Sequence, residues 1–209
     1  MSERRRSPVA LRVGYCLCVL IAMAAVIRRL VILAHPPATS RPELGALDGV
    51  FSSHAGLTMA HIVPALVFVA LTPLVLFRVA ARWRWPERLL YPLGLVVGLT
   101  AFAMSQEAVG GWTERSAVWF FNSLFLVSLF QAMRHARVGD PTGERRWLLR
   151  AIVILLGIAT TRPVMGLFFA TRAFTHLAPS QFFGLAFWIG FSINALTAEW
   201  WLATQRRAV

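Results

Sequence analysis

The sequence predicts an all-α, polytopic membrane bundle of six transmembrane helices with both termini cytoplasmic, and three observations carry that reading. Apolar residues make up 57% of the chain and charged ones 14%, too lopsided for an ordinary soluble domain. The apolar residues gather into six runs, at 9–34, 55–77, 89–109, 117–133, 151–170 and 180–204. Each is about long enough to cross a hydrocarbon core of ~30 Å at ~1.5 Å per residue. The 21 basic residues are all arginine, and fifteen of them fall on alternate connections between the runs.

The first run follows Arg4, Arg5 and Arg6 and continues past Arg28 and Arg29 to Ala34. Ser2 to Leu20 has the basic start and apolar middle of a secretory signal, but the run goes on without a small-residue cleavage site, so an uncleaved first helix is expected. Cys16 and Cys18, two residues apart on that helix, point to different faces, which argues against a mutual disulfide or a shared metal; both are expected as small buried residues. A loop with Pro36, Pro37, Pro42 and Gly45 reads as an irregular cover rather than a domain. The second run carries His61. In the third, Gly94 and Gly98 share a face that lets another helix approach inside the bundle. The fourth run is the shortest, with Trp112 and Arg134 as interface anchors. Asp140 and Pro141 read as the N-cap and first position of a helix, so the fifth span opens early, in the headgroup region. The sixth ends near Glu199, which is expected to pair with Arg78, Arg150 or Arg206. Six spans use the whole chain, leaving a single domain over 1–209.

The orientation follows from the arginines. With the N-terminus inside, the inner side holds Arg4, Arg5, Arg6, Arg12, Arg78, Arg82, Arg84, Arg88, Arg134, Arg137, Arg145, Arg146, Arg150, Arg206 and Arg207, against Arg41, Arg115 and Arg172 outside. Cytoplasmic loops are enriched in basic residues. Trp83, Trp85, Trp147, Trp200 and Trp201 gather at the same inner interface, and Trp112 and Trp119 mark the outer one. The net charge of +12 is therefore read as topogenic and as contact with anionic lipid, not as a nucleic-acid surface.

Arg162 is the most expensive residue in the chain: a charged group near the centre of a membrane helix costs on the order of 2.5 to 3.5 kcal/mol by insertion measurements. Pro163 follows it and frees the carbonyl of Ala159, while the hydroxyls of Thr160 and Thr161 can re-satisfy a broken helix. By helical rise, Arg162 lies ~12 Å and His61 ~9 Å below the outer ends of their runs. Gln106 and Glu107 close the third run, Asn122 lies in the fourth, and Arg28 and Arg29 sit at a similar level in the first. These seven residues are expected to line one polar, cationic pocket in the outer half of the bundle, since isolated intramembrane polar groups would each need a private partner. His54 and His61 are too far apart along the axis, ~10 Å, to share a metal ion. His35, His54 and His176 match no zinc spacing, and no phosphate loop, nucleophile elbow, zinc-protease helix or carboxylate pair is present.

At Met59 to Val69, Arg84 to Gly94 and Gly139 to Arg162 the chain resembles a family of bacterial multi-pass membrane proteins known as domain of unknown function 2306, over about residues 55 to 170. The stretch Glu144-Arg145-Arg146-Trp147-Leu148-Leu149-Arg150, with Thr161-Arg162 after it, is similar to the family's loop in which a His-Arg pair and a tryptophan precede an arginine and then an intramembrane arginine. His61 matches the family's histidine in an early helix, and Glu87-Arg88 stands where another His-Arg is usual. The resemblance implies a multi-pass protein of the bacterial inner membrane. Glutamate replaces histidine in both loop motifs here, so a histidine-dependent role such as haem ligation or proton relay does not carry over to those positions.

Three functions remain open from sequence. The leading one is a non-enzymatic inner-membrane protein that binds or moves a small anionic or amphiphilic ligand around Arg162 and His61, because the planar, always-charged guanidinium holds a carboxylate or phosphate through two hydrogen bonds. A quinone- or haem-binding redox protein is the second, set against the need of a bis-histidine haem for two histidines at one depth. A structural or assembly subunit of a membrane complex is the third. No cofactor is expected; the expected partners are membrane lipids, the anionic ligand and, for a homo-oligomer, further copies of the chain.

Overall fold

The computed structural model describes residues 9–35, 49, 53–77 and 85–206. These form α1 (Val9–Ala34), α2 (Ala55–Leu76), α3 (Trp85–Met104) with a 3-10 turn at Ser105–Glu107, α4 (Gly111–Arg137), α5 (Pro141–Leu155), α6 (Gly157–Thr175) and α7 (Pro179–Arg206). Among the described residues, six helical segments are long and apolar enough to cross a membrane, the fifth being α5 and α6 taken together. The six expected spans are therefore present. They are longer than the apolar runs where helix continues into polar sequence: α4 begins at Gly111 rather than 117 and ends at Arg137 rather than 133. An apolar run records only the part of a helix that hydrocarbon covers, whereas intrahelical hydrogen bonding continues through the interface.

The helices close into a ring in the order α1, α2, α3, α4, α7, α6 and back to α1, while α5 packs against α4, α7 and α2. That arrangement rests on the division of the fifth span. Asp140 caps α5 as expected, accepting from the N–H groups of Thr142 and Gly143 at 3.1 and 3.0 Å, with Pro141 in the first turn. From there α5 runs through the centre of the bundle, where Leu148, Ala151 and Ile152 are buried on all sides. At Leu156 the helix breaks, and α6 continues as part of the wall. The expected break at Pro163 is thus corrected: Pro163 sits inside α6, and the interruption comes about two turns earlier, beside Gly157, where a side chain would strike Phe191 of α7. The Val153 carbonyl, which a continuous helix would join to the Gly157 N–H, accepts instead from Asn194 Nδ2 at 3.0 Å.

Other contacts follow the sequence reading or depart from it. A Cβ at Gly94 would meet Leu129, Phe68 and Phe125, and one at Gly98 would meet Leu126, so the glycine face of α3 serves packing on α4 within the bundle. Glu199 pairs with Arg150 through both carboxylate oxygens, and the same guanidinium lies 4.5 Å from the Trp147 ring. Cys16, expected to be buried, is exposed on α1, on the face that lipid covers. Cys18 is half-buried and sits 3.6 Å from the Thr160 hydroxyl. The first helix can place such residues outward because it is the least enclosed wall of the ring: Ala22 alone among its residues is buried.

Candidate functional site

Because α5 occupies the centre only as far as Leu156, the ring is left hollow beyond that point, toward the arginine-poor end. A cavity of about 570 Å³ fills the space, within the range of ligand sites, ~300 to 1,000 Å³. Six of the seven residues singled out from sequence line it: Arg28, Arg29, His61, Glu107, Asn122 and Arg162. Gln106 is the exception. Its side chain is exposed and absent from the lining, while its carbonyl accepts from Arg115 at 2.6 Å. Its neighbour Glu107, in the same 3-10 turn, is exposed as well but lines the cavity.

Arg162 stands on the α6 wall. Among the described residues it makes no hydrogen bond or ion pair, although Arg29, Arg28 and Glu114 are near enough to act on its charge through space. The acid closest to it in effect is thus Glu114, not Glu107. Glu114 escaped the sequence reading because it precedes the fourth apolar run; the early start of α4 at Gly111 turns it into the bundle, where its Oε2 accepts from the Gly110 N–H at 2.6 Å. The available signal was an acid four residues after a Gly-Gly pair, the pattern of a side chain reaching back to a helix start.

His61 and Asn122 are committed to their neighbours as well as to the cavity. The Thr100 hydroxyl donates to the Val96 carbonyl at 2.6 Å and lies 2.9 Å from His61 Nδ1, so α3 holds the imidazole at the cavity wall. Asn122 Nδ2 donates to the Gly98 carbonyl at 2.9 Å, across the glycine face of α3. His54, at the start of α2, lines the same cavity but is exposed and contacts Ser53. Among the described residues, no cluster of three or more His, Cys, Asp or Glu side chains is arranged to hold a metal ion.

The opposite, arginine-rich end carries a smaller hollow of about 200 Å³. Glu87, Arg88, Arg137 and Glu144 line it, and Tyr91 donates to Glu144 at 2.8 Å. Glu144 is 6% exposed. The two stretches around Glu87-Arg88 and Glu144-Arg145 therefore meet in space, 53 or more residues apart in sequence at the Tyr91–Glu144 contact.

A further polar group inside the bundle is Asn194, 8% exposed. Sequence reasoning passed over it in the sixth run. A family model described as "Predicted membrane protein (DUF2306)" matches residues 58–202, which extends the resemblance seen in the sequence through the last span. No curated protein and no solved structure matches.

Proposed function

Since the chain belongs to the DUF2306 family of predicted membrane proteins, its activity has to be read from its own cavity, and we propose that it binds a small anionic ligand there, with Arg162 as the anchor. One observation carries the reading: a guanidinium deep in an apolar span, without a hydrogen bond or ion pair among the described residues, lines a cavity large enough for a ligand. Such a charge is costly in a membrane unless something compensates it. Glu114 acts on it only through space, and the charges of Arg28 and Arg29 oppose it from nearby. An anion held by Arg162 in a bidentate contact supplies the balance, and His61 and Asn122 add polar groups at the same level. Under the orientation set by the arginines, the cavity opens toward the outer face of the bacterial inner membrane.

The competing assignment for Arg162 is a structural lock with a buried acid, and stability separates the two. Breaking a buried pair strands one charge, at about 3–5 kcal/mol. Arg162→Gln is expected to melt close to the unmutated protein while losing the thermal stabilisation that carboxylates or phosphates confer. If Arg162→Gln and Glu114→Gln each melt far lower and the double variant recovers most of the loss, the pair is a lock and the binding reading fails.

A further inference from the structure

We propose that the ligand is a single-chain amphiphilic anion taken from the lipid phase, its charged head at the arginines and its tail on the cavity floor; this rests on the anion-binding reading above and narrows it. The lining is graded along the membrane normal. Every charged lining residue lies at the level of Arg162 or nearer the arginine-poor end, as chain direction requires of Arg28, Arg29, Glu107 and Glu114. Beyond Arg162 toward the centre the lining is apolar: Ala65 and Val69 from α2, Val97 from α3, Phe125 from α4, Ile154 from α5 and Ile158 from α6. The span from Arg162 to Ile154 is ~12 Å by helical rise.

A small hydrated anion at Arg162 leaves that floor unfilled, and an apolar hollow without polar partners does not hold ordered water well. An alkyl tail fills it and removes apolar surface on both sides from contact with water. Access fits the same source. The wall carrying Arg28 and Arg29 is α1, which packs only on α2 and α6 among its principal neighbours and has a single buried residue, Ala22. On α1, Tyr15 meets the Thr72 hydroxyl at 2.6 Å and Cys18 lies 3.6 Å from the Thr160 hydroxyl. The first helix is thus the wall of the ring where an amphiphile passes from lipid to cavity with the least disruption.

The test is calorimetric titration of the protein in nanodiscs of neutral lipid, with empty nanodiscs subtracted, using propionate, octanoate, dodecanoate, dodecyl phosphate and dodecanol as probes. Affinity is expected to rise about fourfold per added methylene until the floor is filled, and dodecanol, lacking the charge, to bind at least tenfold more weakly than dodecanoate. Tighter binding of dodecanoate than dodecyl phosphate assigns the head as a free fatty carboxylate, and the reverse assigns it as a lipid phosphate; both support the amphiphile. Ala65→Leu, filling part of the floor, should move the preferred chain from dodecanoate toward octanoate and leave propionate unchanged. Propionate binding as tightly as dodecanoate overturns the amphiphile and leaves the anion reading standing. No binding of any charged probe overturns both.

Discussion

Asn194 holds Thr160 and, through it, the two halves of the fifth span: its Oδ1 accepts from the Thr160 hydroxyl at 2.7 Å while its Nδ2 donates to the Val153 carbonyl at 3.0 Å. Val153 belongs to α5 and Thr160 to α6, so one amide on α7 satisfies the groups on both sides of the break at Leu156. The cavity depends on that break, because it moves the span from the centre of the bundle to its wall. A polar residue outside the cavity lining thus maintains the space the ligand needs.

Asn194→Leu is expected to cost about 1–3 kcal/mol, the penalty for leaving a buried carbonyl without a partner. Interhelical hydrogen bonds in membranes are individually modest, ~0.6 kcal/mol on average. The larger value applies here because no second helical donor replaces the amide at Val153. Thermal melting of the detergent-solubilised protein measures it. A variant that melts with the unmutated protein would show that the break is held by packing alone.

Gly190 brings the backbones of α6 and α7 close together. A Cβ there would lie 2.7 Å from the Thr161 backbone nitrogen and 2.9 Å from its Cα, so backbone rather than a flexible side chain has to move. Overpacking of this kind costs about 1–3 kcal/mol, and Gly190→Ala should lower the melting temperature accordingly. Gly14 is the control, since nothing lies within 4 Å of a Cβ built on it and alanine gains helix propensity of ~1 kcal/mol. Equal effects at the two positions would refute the packing argument.

The six spans and the Asp140 cap were legible in the sequence, and the partner of Glu199 was narrowed to three arginines, because each rests on local or one-dimensional information: apolar length, an Asp-Pro pair, charges at matching ends. Arg28, Arg29, His61, Glu107, Asn122 and Arg162 were legible as a set because intramembrane polar residues have few tolerable places and depth can be counted along each run. What escaped depends on rotation and on helix ends. Gln106 and Glu107 share a three-residue turn yet only Glu107 lines the cavity, Glu114 joins the site only because α4 starts two turns early, and the break sits at Leu156 because Phe191 of another helix packs where a side chain on Gly157 would be. None of these is contained in the apolar pattern.

Asp140 lies outside the spans, and its carboxyl is held below the ordinary carboxylate range, first by the Gly143 N–H and then by His135 and the Thr142 N–H. A depressed folded pKa contributes stability that is present above the unfolded pKa and lost as pH falls through the folded one. Stability should therefore drop as the pH goes below ~4, the ordinary aspartate value. Asp140→Asn keeps an N-cap acceptor but removes the titration. Melting curves of both proteins are expected to differ most near neutrality and to converge at acid pH; a gap of constant size would count against the capping charge as its source.

The orientation of the bundle is a matter of charge at its two ends. Antiparallel spans bring the connections holding Arg134, Arg137, Arg145, Arg146 and Arg150 to the same end as the start of α1 and the end of α7, and Arg145 there donates to the Leu76 carbonyl at 3.0 Å. The other end holds Arg115 and Arg172 among the described residues. Basic residues are retained on the cytoplasmic side, so reporter fusions at residues 140 and 209 should be cytoplasmic and one at residue 45 periplasmic. The same experiment bears on the ligand, because this orientation makes the Arg162 cavity face away from the cytoplasm. Fusions at 140 and 209 reporting from the periplasm would invert the protein, turn the cavity toward the cytoplasmic leaflet, and place its amphiphile among a different set of lipids.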